Sequence, residues 1–207
     1  MLTIPNILTL LRILLIPVFV VVFYLPYHWA HMAAAAIFTL GAITDWLDGY
    51  LARRLGQISA LGAFLDPVAD KLAVAVALVL LVSLDPGVHV ALPAAVIIGR
   101  EITISALREW MAEVGKRKKV AVSLLGKVKT VSQMLALICM LYRDPVGTPL
   151  GTIPTYDAGL LLLYVAAALT LWSMCRYLLL AWPDLRQEGL GGGSGGETGN
   201  DAGGDGC

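Results

Sequence analysis

Charge is scarce in this chain. Only 14% of its 207 residues are Asp, Glu, Lys or Arg, against 58% hydrophobic. That balance excludes an ordinary soluble domain, and the mean hydropathy of +0.78 agrees. Neither sign of charge prevails, since 15 cations face 15 acids. Net charge therefore identifies no partner, and nothing calls for nucleic acid. Cysteine is rare as well. Cys139 and Cys175 fall inside apolar runs and Cys207 is the last residue, so no disulfide framework is implied and the first two read as packing residues. The three histidines, His28, His31 and His89, sit in or beside turns remote from the acidic residues described below, which leaves them no part in a shared metal site. No basic residue precedes the first apolar run, whose first cation is Arg12, and no convincing cleavage site precedes Tyr24. The start reads as a retained first helix rather than a signal peptide. There is no internal repeat, so a transporter built from inverted repeats gains no support.

What the chain has in abundance is apolar length. A spanning helix needs roughly 20 apolar residues, and six candidate spans emerge: Ile7–Phe23, Met32–Leu47, Val68–Val82, Val88–Ala106, Val120–Leu141 and Ala158–Leu180. The expected fold is an all-α integral membrane bundle of six transmembrane helices, occupying residues 1–188. Residues 189–207 are mostly Gly with Ser, Asn, Asp and Glu, and cannot bury enough apolar area to fold; they read as a disordered natural tail or an artificial addition. Cations sort the connections. Arg53 and Arg54 follow the second span and Lys116, Arg117, Lys118 and Lys119 the fourth, whereas Leu25–His31 and Ser83–Gly87 carry neither Lys nor Arg. Both termini are then expected to be cytoplasmic, with Tyr24, Tyr27 and Trp29 as an aromatic belt on the far side. The Lys116–Lys119 run reads as a topology signal or an anionic-lipid contact.

Four acids stand out against this background. Asp45 and Asp48 close the second apolar run, and Asp66 and Asp70 open the third. Carboxylates at a bilayer edge are costly and call for a partner. Asp45 and Asp48 are three apart and Asp66 and Asp70 four apart, so each pair shares one side of a helix. Two helices joined by a short turn can bring the pairs together. Hard cations such as Mg²⁺ and Mn²⁺ want carboxylate oxygens and leave positions for phosphate, and a pair of such ions can hold a pyrophosphate. Gly49 and Ala52 allow a bulky ligand close to the helix, and Arg53 can pair with phosphate in bidentate fashion. An active site is expected at the cytoplasmic membrane edge, with chemistry on a lipid head group.

The fourth and fifth spans add polar walls. Glu101 and Arg108, seven apart, share a helix face, with Arg100 on an adjoining one. Ser123, Gly126, Lys127, Lys129 and Thr130 punctuate the start of the fifth span. Charges inside a span face protein or water rather than lipid. Cations there are candidates to receive a phosphate, or else snorkel to the membrane edge.

The pattern D-x2-D-G-x2-A-R-x8-G-x3-D-x3-D is filled at every fixed position by Asp45, Asp48, Gly49, Ala52, Arg53, Gly62, Asp66 and Asp70. It resembles the signature of the CDP-alcohol phosphatidyltransferases. The stretches IPNILTLLRILLIP, TDWLDGYLARR, GAFLDPVADK, REITISALREWMAE and GKVKT resemble the bacterial branch of that family whose acceptor is sn-glycerol 3-phosphate. The resemblance covers the chain to about Pro183. It implies a six-helix membrane enzyme, commonly a homodimer, in the bacterial cytoplasmic membrane. It implies that Asp45, Asp48 and Asp66 bind a pair of Mg²⁺ or Mn²⁺ ions and that Asp70 touches the second ion and accepts a proton from the acceptor hydroxyl. It places Gly49, Arg53 and Ser59 against CDP-diacylglycerol. Ala52 continues the stripe of Asp45 and Asp48, Gly62 lies four residues before Asp66, and Thr9 and Arg12 in the first helix are candidates to line the lipid's head-group pocket. Arg100, Arg108, Lys127 and Lys129 are then the candidate ligands of the acceptor phosphate. The signature alone does not separate this acceptor from inositol phosphate, inositol, serine or phosphatidylglycerol. A divalent-cation transporter would also gather carboxylates among helices, and a scaffold would leave them without a purpose.

Overall fold

The apolar runs fold as long helices in a computed structural model that describes the backbone of residues 4–55, 60–113, 124–148 and 151–191. The side chains of residues 4–6, 46, 48–61, 63–64, 108, 111–127, 148, 177–178 and 180–191 lie outside the described set. Among the described residues six helices follow in order: α1 Ile4–Phe23, α2 Ala30–Leu55, α3 Ala60–Leu84, α4 Val88–Glu113, α5 Leu124–Tyr142 and α6 Thr155–Gly191. Between α5 and α6 lies an antiparallel hairpin of β1 Val146–Thr148 and β2 Gly151–Ile153, in which Val146 faces Ile153. The expectation of an all-helical chain holds apart from this hairpin. Among the described residues three helical stretches are long and apolar enough to cross a membrane: Leu65–Leu84, Val88–Leu107 and Thr155–Arg176. Ile7–Phe23, Ala30–Asp45 and Val128–Tyr142 are shorter apolar helices.

Several helices outrun the apolar segments that announce them. α2 continues ten residues past Asp45 to Leu55, and α3 begins six residues before Asp66. Leu, Ala and Arg are good helix formers, so the backbone stays helical where the hydrophobicity ends. Asp45 therefore sits inside a helix rather than at its last turn. Asp66 does not start α3 as a cap, and Pro67 is an interior proline that leaves a carbonyl one turn earlier without its usual donor. α6 likewise runs to Gly191, past the compositional boundary at residue 189.

Packing follows residue size. α5 lies along α6, α1 against α2 and α3, and α4 against α6 and α3. Ala34, Ala35, Ala77, Ala94, Ala136, Ala166 and Ala167 are buried at these contacts, where small side chains let helix backbones approach. Leu78, Leu81, Ile97, Leu137, Met140 and Leu163 fill the centre. Large apolar residues such as Leu14, Ile102, Leu161 and Trp172 face outward, the polarity expected of a surface bathed in lipid. Gly159 marks the tightest approach. A Cβ there would meet the Ala136 carbonyl oxygen at 2.9 Å and Met140 Cγ at 2.7 Å. Because one obstacle is backbone, Gly159→Val is expected to cost about 2–3 kcal/mol, read as a lowered unfolding midpoint of the purified protein in detergent with activity at low temperature retained.

The end of the bundle that carries the histidines has its own polar ties. Asp85 accepts a hydrogen bond from the Tyr156 hydroxyl at 2.8 Å and pairs with His89 at 2.9 Å. These partners hold its carboxyl below the ordinary aspartate range. His31 meets Asp144 at 2.8 Å, and Thr155 donates to the Asp144 carbonyl. Arg143, in the left-handed region at φ 61°, rests its guanidinium over the Phe23 ring. His31 lies about 20 Å along α2 from Asp45, so the histidines are structurally separated from the acids, as the sequence suggests.

Candidate active site

Thr9 and Arg12 are three residues apart on α1 and so share a face. Both are buried, at 0% and 4% exposure. The Thr9 hydroxyl donates to Asp66 Oδ1 on α3 at 2.6 Å, and Arg12 Nη1 forms an ion pair with Asp45 on α2. One face of the first helix thus ties down one acid from each of the next two. Arg12, Asp45 and Asp70 together line the polar end of a cavity whose apolar walls are Leu15, Ile16, Phe19, Ile37, Phe38 and Met134. A neighbouring cavity of about 360 Å³ shares Asp45, Asp70 and Met134 and is closed by Thr130, Val131 and Leu135 of α5. Asp70 is half-buried. Among the described residues, the charged groups near enough to act on it are Asp45, Arg12, Glu101 and Lys71.

A second charged group stands on α4 and α5. Glu101 Oε1 accepts from Arg100 Nη1 at 2.7 Å and from Lys129 Nζ at 2.6 Å. Lys71, the residue after Asp70, donates to Ser105 Oγ, which in turn donates to the Glu101 carbonyl. Ionic and hydroxyl side chains from α1 through α5 therefore form one polar layer across an otherwise apolar bundle.

Of the residues singled out from sequence, Thr9, Arg12, Asp45, Asp66 and Asp70 come together here, with Gly62 buried one turn before Asp66. Arg100 and Lys129 meet over Glu101. Asp48, Gly49, Ala52 and Arg53 fall on α2, Arg108 on α4 and Lys127 on α5, but their side chains lie outside the described residues, and Ser59 lies outside them altogether. Lys71 and Ser105 belong to the layer and were not anticipated. The one signal for Lys71 is its position beside Asp70.

The donors suit a hard divalent cation. Asp45 and Asp70 line one cavity and act on each other as like charges, an arrangement a cation relieves, and carboxylate oxygens are the preferred ligands of Mg²⁺ and Mn²⁺. Among the described residues no three His, Cys, Asp or Glu side chains gather at one point. Asp66 is turned to Thr9, and Asp48 is outside the described set.

Comparison with known proteins gives this geometry a context. The family model described as CDP-alcohol phosphatidyltransferase matches residues 2–172. A protein of Pseudomonas fluorescens named CDP-diacylglycerol–glycerol-3-phosphate 3-phosphatidyltransferase is 55% identical over 90% of this chain and 93% of its own length. Proteins of the same name from Salmonella paratyphi A and Escherichia coli (strain K12) are 57% and 56% identical, each over 88% of this chain and 96% of the relative. The match takes in all five helices of the polar layer, and the chain belongs to the CDP-alcohol phosphatidyltransferase family.

Proposed function

We propose that this protein transfers the phosphatidyl group of CDP-diacylglycerol to sn-glycerol 3-phosphate, giving phosphatidylglycerophosphate and CMP, a step of phospholipid synthesis. The observation that carries this reading is the near full-length similarity to relatives named for that reaction. Six membrane-spanning helices in a bacterial cytoplasmic membrane, with both termini and the polar layer toward the cytoplasm, fit the apolar lengths and the placing of Arg53, Arg54 and Lys116–Lys119. The working form is a homodimer. Residues 1–188 form the catalytic unit.

Asp45, Asp48, Asp66 and Asp70 would hold one or two Mg²⁺ or Mn²⁺ ions, which supply charge neutralisation for the pyrophosphate and the departing CMP. Thr9 and Arg12 keep Asp66 and Asp45 in place from α1. Gly49, Ala52 and Gly62 leave room for the nucleotide, and Arg53 and Ser59 bind it. Arg100, Arg108, Lys127 and Lys129 receive the acceptor phosphate. Asp70 takes the proton from the primary hydroxyl of glycerol 3-phosphate. That oxygen bonds to the lipid-side phosphorus as the bond to the CMP oxygen breaks. Positioning and charge stabilisation account for most of the catalysis in such transfers. The apolar cavity walls of α1 and α2 suit acyl chains.

Purified protein supplied with CDP-diacylglycerol and a panel of alcohols tests this reading. CMP release is expected with glycerol 3-phosphate and not with inositol phosphate, inositol, serine or phosphatidylglycerol. Release with inositol phosphate alone would reassign the acceptor. Mg²⁺ flux in vesicles without lipid turnover would favour the transporter alternative.

A further inference from the structure

We infer that Glu101 is a positioning residue that sets Arg100 and Lys129 side by side as the receptor for the acceptor's phosphate. The inference rests on the proposed transfer to glycerol 3-phosphate and deepens it. One carboxylate oxygen, Glu101 Oε1, accepts from both cations, at 2.7 and 2.6 Å. The two nitrogens therefore stand within about two hydrogen-bond lengths of each other. Cations that close and that buried, with side chains 11% and 4% exposed, repel strongly unless a shared anion lies between them. Lys129 comes from α5, which packs chiefly on α6 and α2, and Arg100 from α4, which packs chiefly on α6 and α3; the two helices do not pack chiefly on each other. Helix packing alone does not fix the spacing of the two cations; the shared carboxylate does.

The trio carries a net charge of +1, suited to a phosphate monoester rather than a neutral alcohol. Arg100 Nε is buried with no hydrogen-bond partner among the described residues, which leaves a donor for an incoming oxygen. Glu101 also lies close enough to Asp70 to act on its charge. A phosphate received by the pair leaves a three-carbon acceptor to reach toward that carboxylate. A carboxylate beside a phosphate is ordinarily unfavourable. Here its charge is committed to the two cations from the side, so it orders them without meeting the ligand. Ser105, which donates to the Glu101 carbonyl and accepts from Lys71, links this pair to the α3 residue that follows Asp70.

The test is steady-state CMP release by the full chain in detergent, varying each substrate in turn. Glu101→Gln keeps the shape and removes the charge. It is expected to raise the KM for glycerol 3-phosphate about tenfold while kcat stays within about twofold and the KM for CDP-diacylglycerol does not move. Glu101→Asp should restore part of the affinity. In a Lys129→Met background the further effect of Glu101→Gln should largely vanish, because the residue acts through that cation. An unchanged or lowered KM for glycerol 3-phosphate overturns the inference, as does a parallel loss in both KM values and kcat. Should Glu101→Gln fail to fold, Glu101→Asp decides alone: a KM raised for the acceptor only supports the role, and an unmoved one sinks it. Wild-type protein silent with glycerol 3-phosphate but active with another alcohol would sink the proposed reaction itself, which an active wild type with an unmoved variant would not.

Discussion

Asp70→Asn is expected to lower kcat by roughly 10³-fold, the scale of a lost general base, while CDP-diacylglycerol still binds. Asparagine matches aspartate in shape, so the cavity shared with Arg12 and Asp45 keeps its walls and volume. What changes is the charge and the ability to take a proton. Asp45 and Asp70 both face the two cavities of the site, but Asp45 is engaged by Arg12, as Asp66 is by Thr9. Of these three acids, Asp70 is therefore the one proposed to meet the acceptor hydroxyl. Single-turnover CMP release beside equilibrium binding of the CDP-lipid separates the two effects. Full turnover in the variant would falsify the proton-acceptor role. Loss of binding in step with turnover would make Asp70 a ligand for the donor substrate instead.

The helices, and the gathering of Thr9, Arg12, Asp45, Asp66 and Asp70, were legible in part because apolar runs and paired acids leave local marks. Apolar length announces a span, and two acids at i and i+3 or i+4 announce a shared face. What sequence did not show were pairings across long separations. Arg12 meets Asp45 and Thr9 meets Asp66 only because α1 packs along both α2 and α3, and no local pattern encodes that. Glu101 could be recognised as a charge within a span but not as the bridge between Arg100 and Lys129. The ends of α2 and α3 lie beyond the apolar runs for a different reason. Hydropathy reports where apolar contact stops, not where the backbone stops being helical. The hairpin of Val146–Thr148 and Gly151–Ile153 escaped notice because three-residue strands are too short to show alternation; Gly151, at φ 130°, is its conformational mark. The ties of Asp85 to Tyr156 and His31 to Asp144 likewise join residues far apart in the chain.

Removing divalent cations should abolish turnover, and restoring Mg²⁺ or Mn²⁺ should recover it. The cause lies in the charge balance of the site. Asp45 and Asp70 face one cavity, with Arg12 as the cation on its wall, and their like charges oppose each other. A divalent ion between such groups relieves that repulsion in the folded state and finds no equivalent site in the unfolded chain. By mass action, an ion at about a hundred times its dissociation constant stabilises the fold by about 2.7 kcal/mol, several degrees in Tm for a chain of this size. The melting temperature in detergent should therefore rise with Mg²⁺ in the absence of any substrate. In Asp45→Asn that rise should shrink, because one ligand charge is gone. A melting temperature indifferent to Mg²⁺, together with turnover that survives chelation, would leave the acids with another purpose. A rise preserved in full in Asp45→Asn would place the ion away from α2. Melting curves need no assay of the lipid reaction, so the ion's location is decided separately from the chemistry it serves.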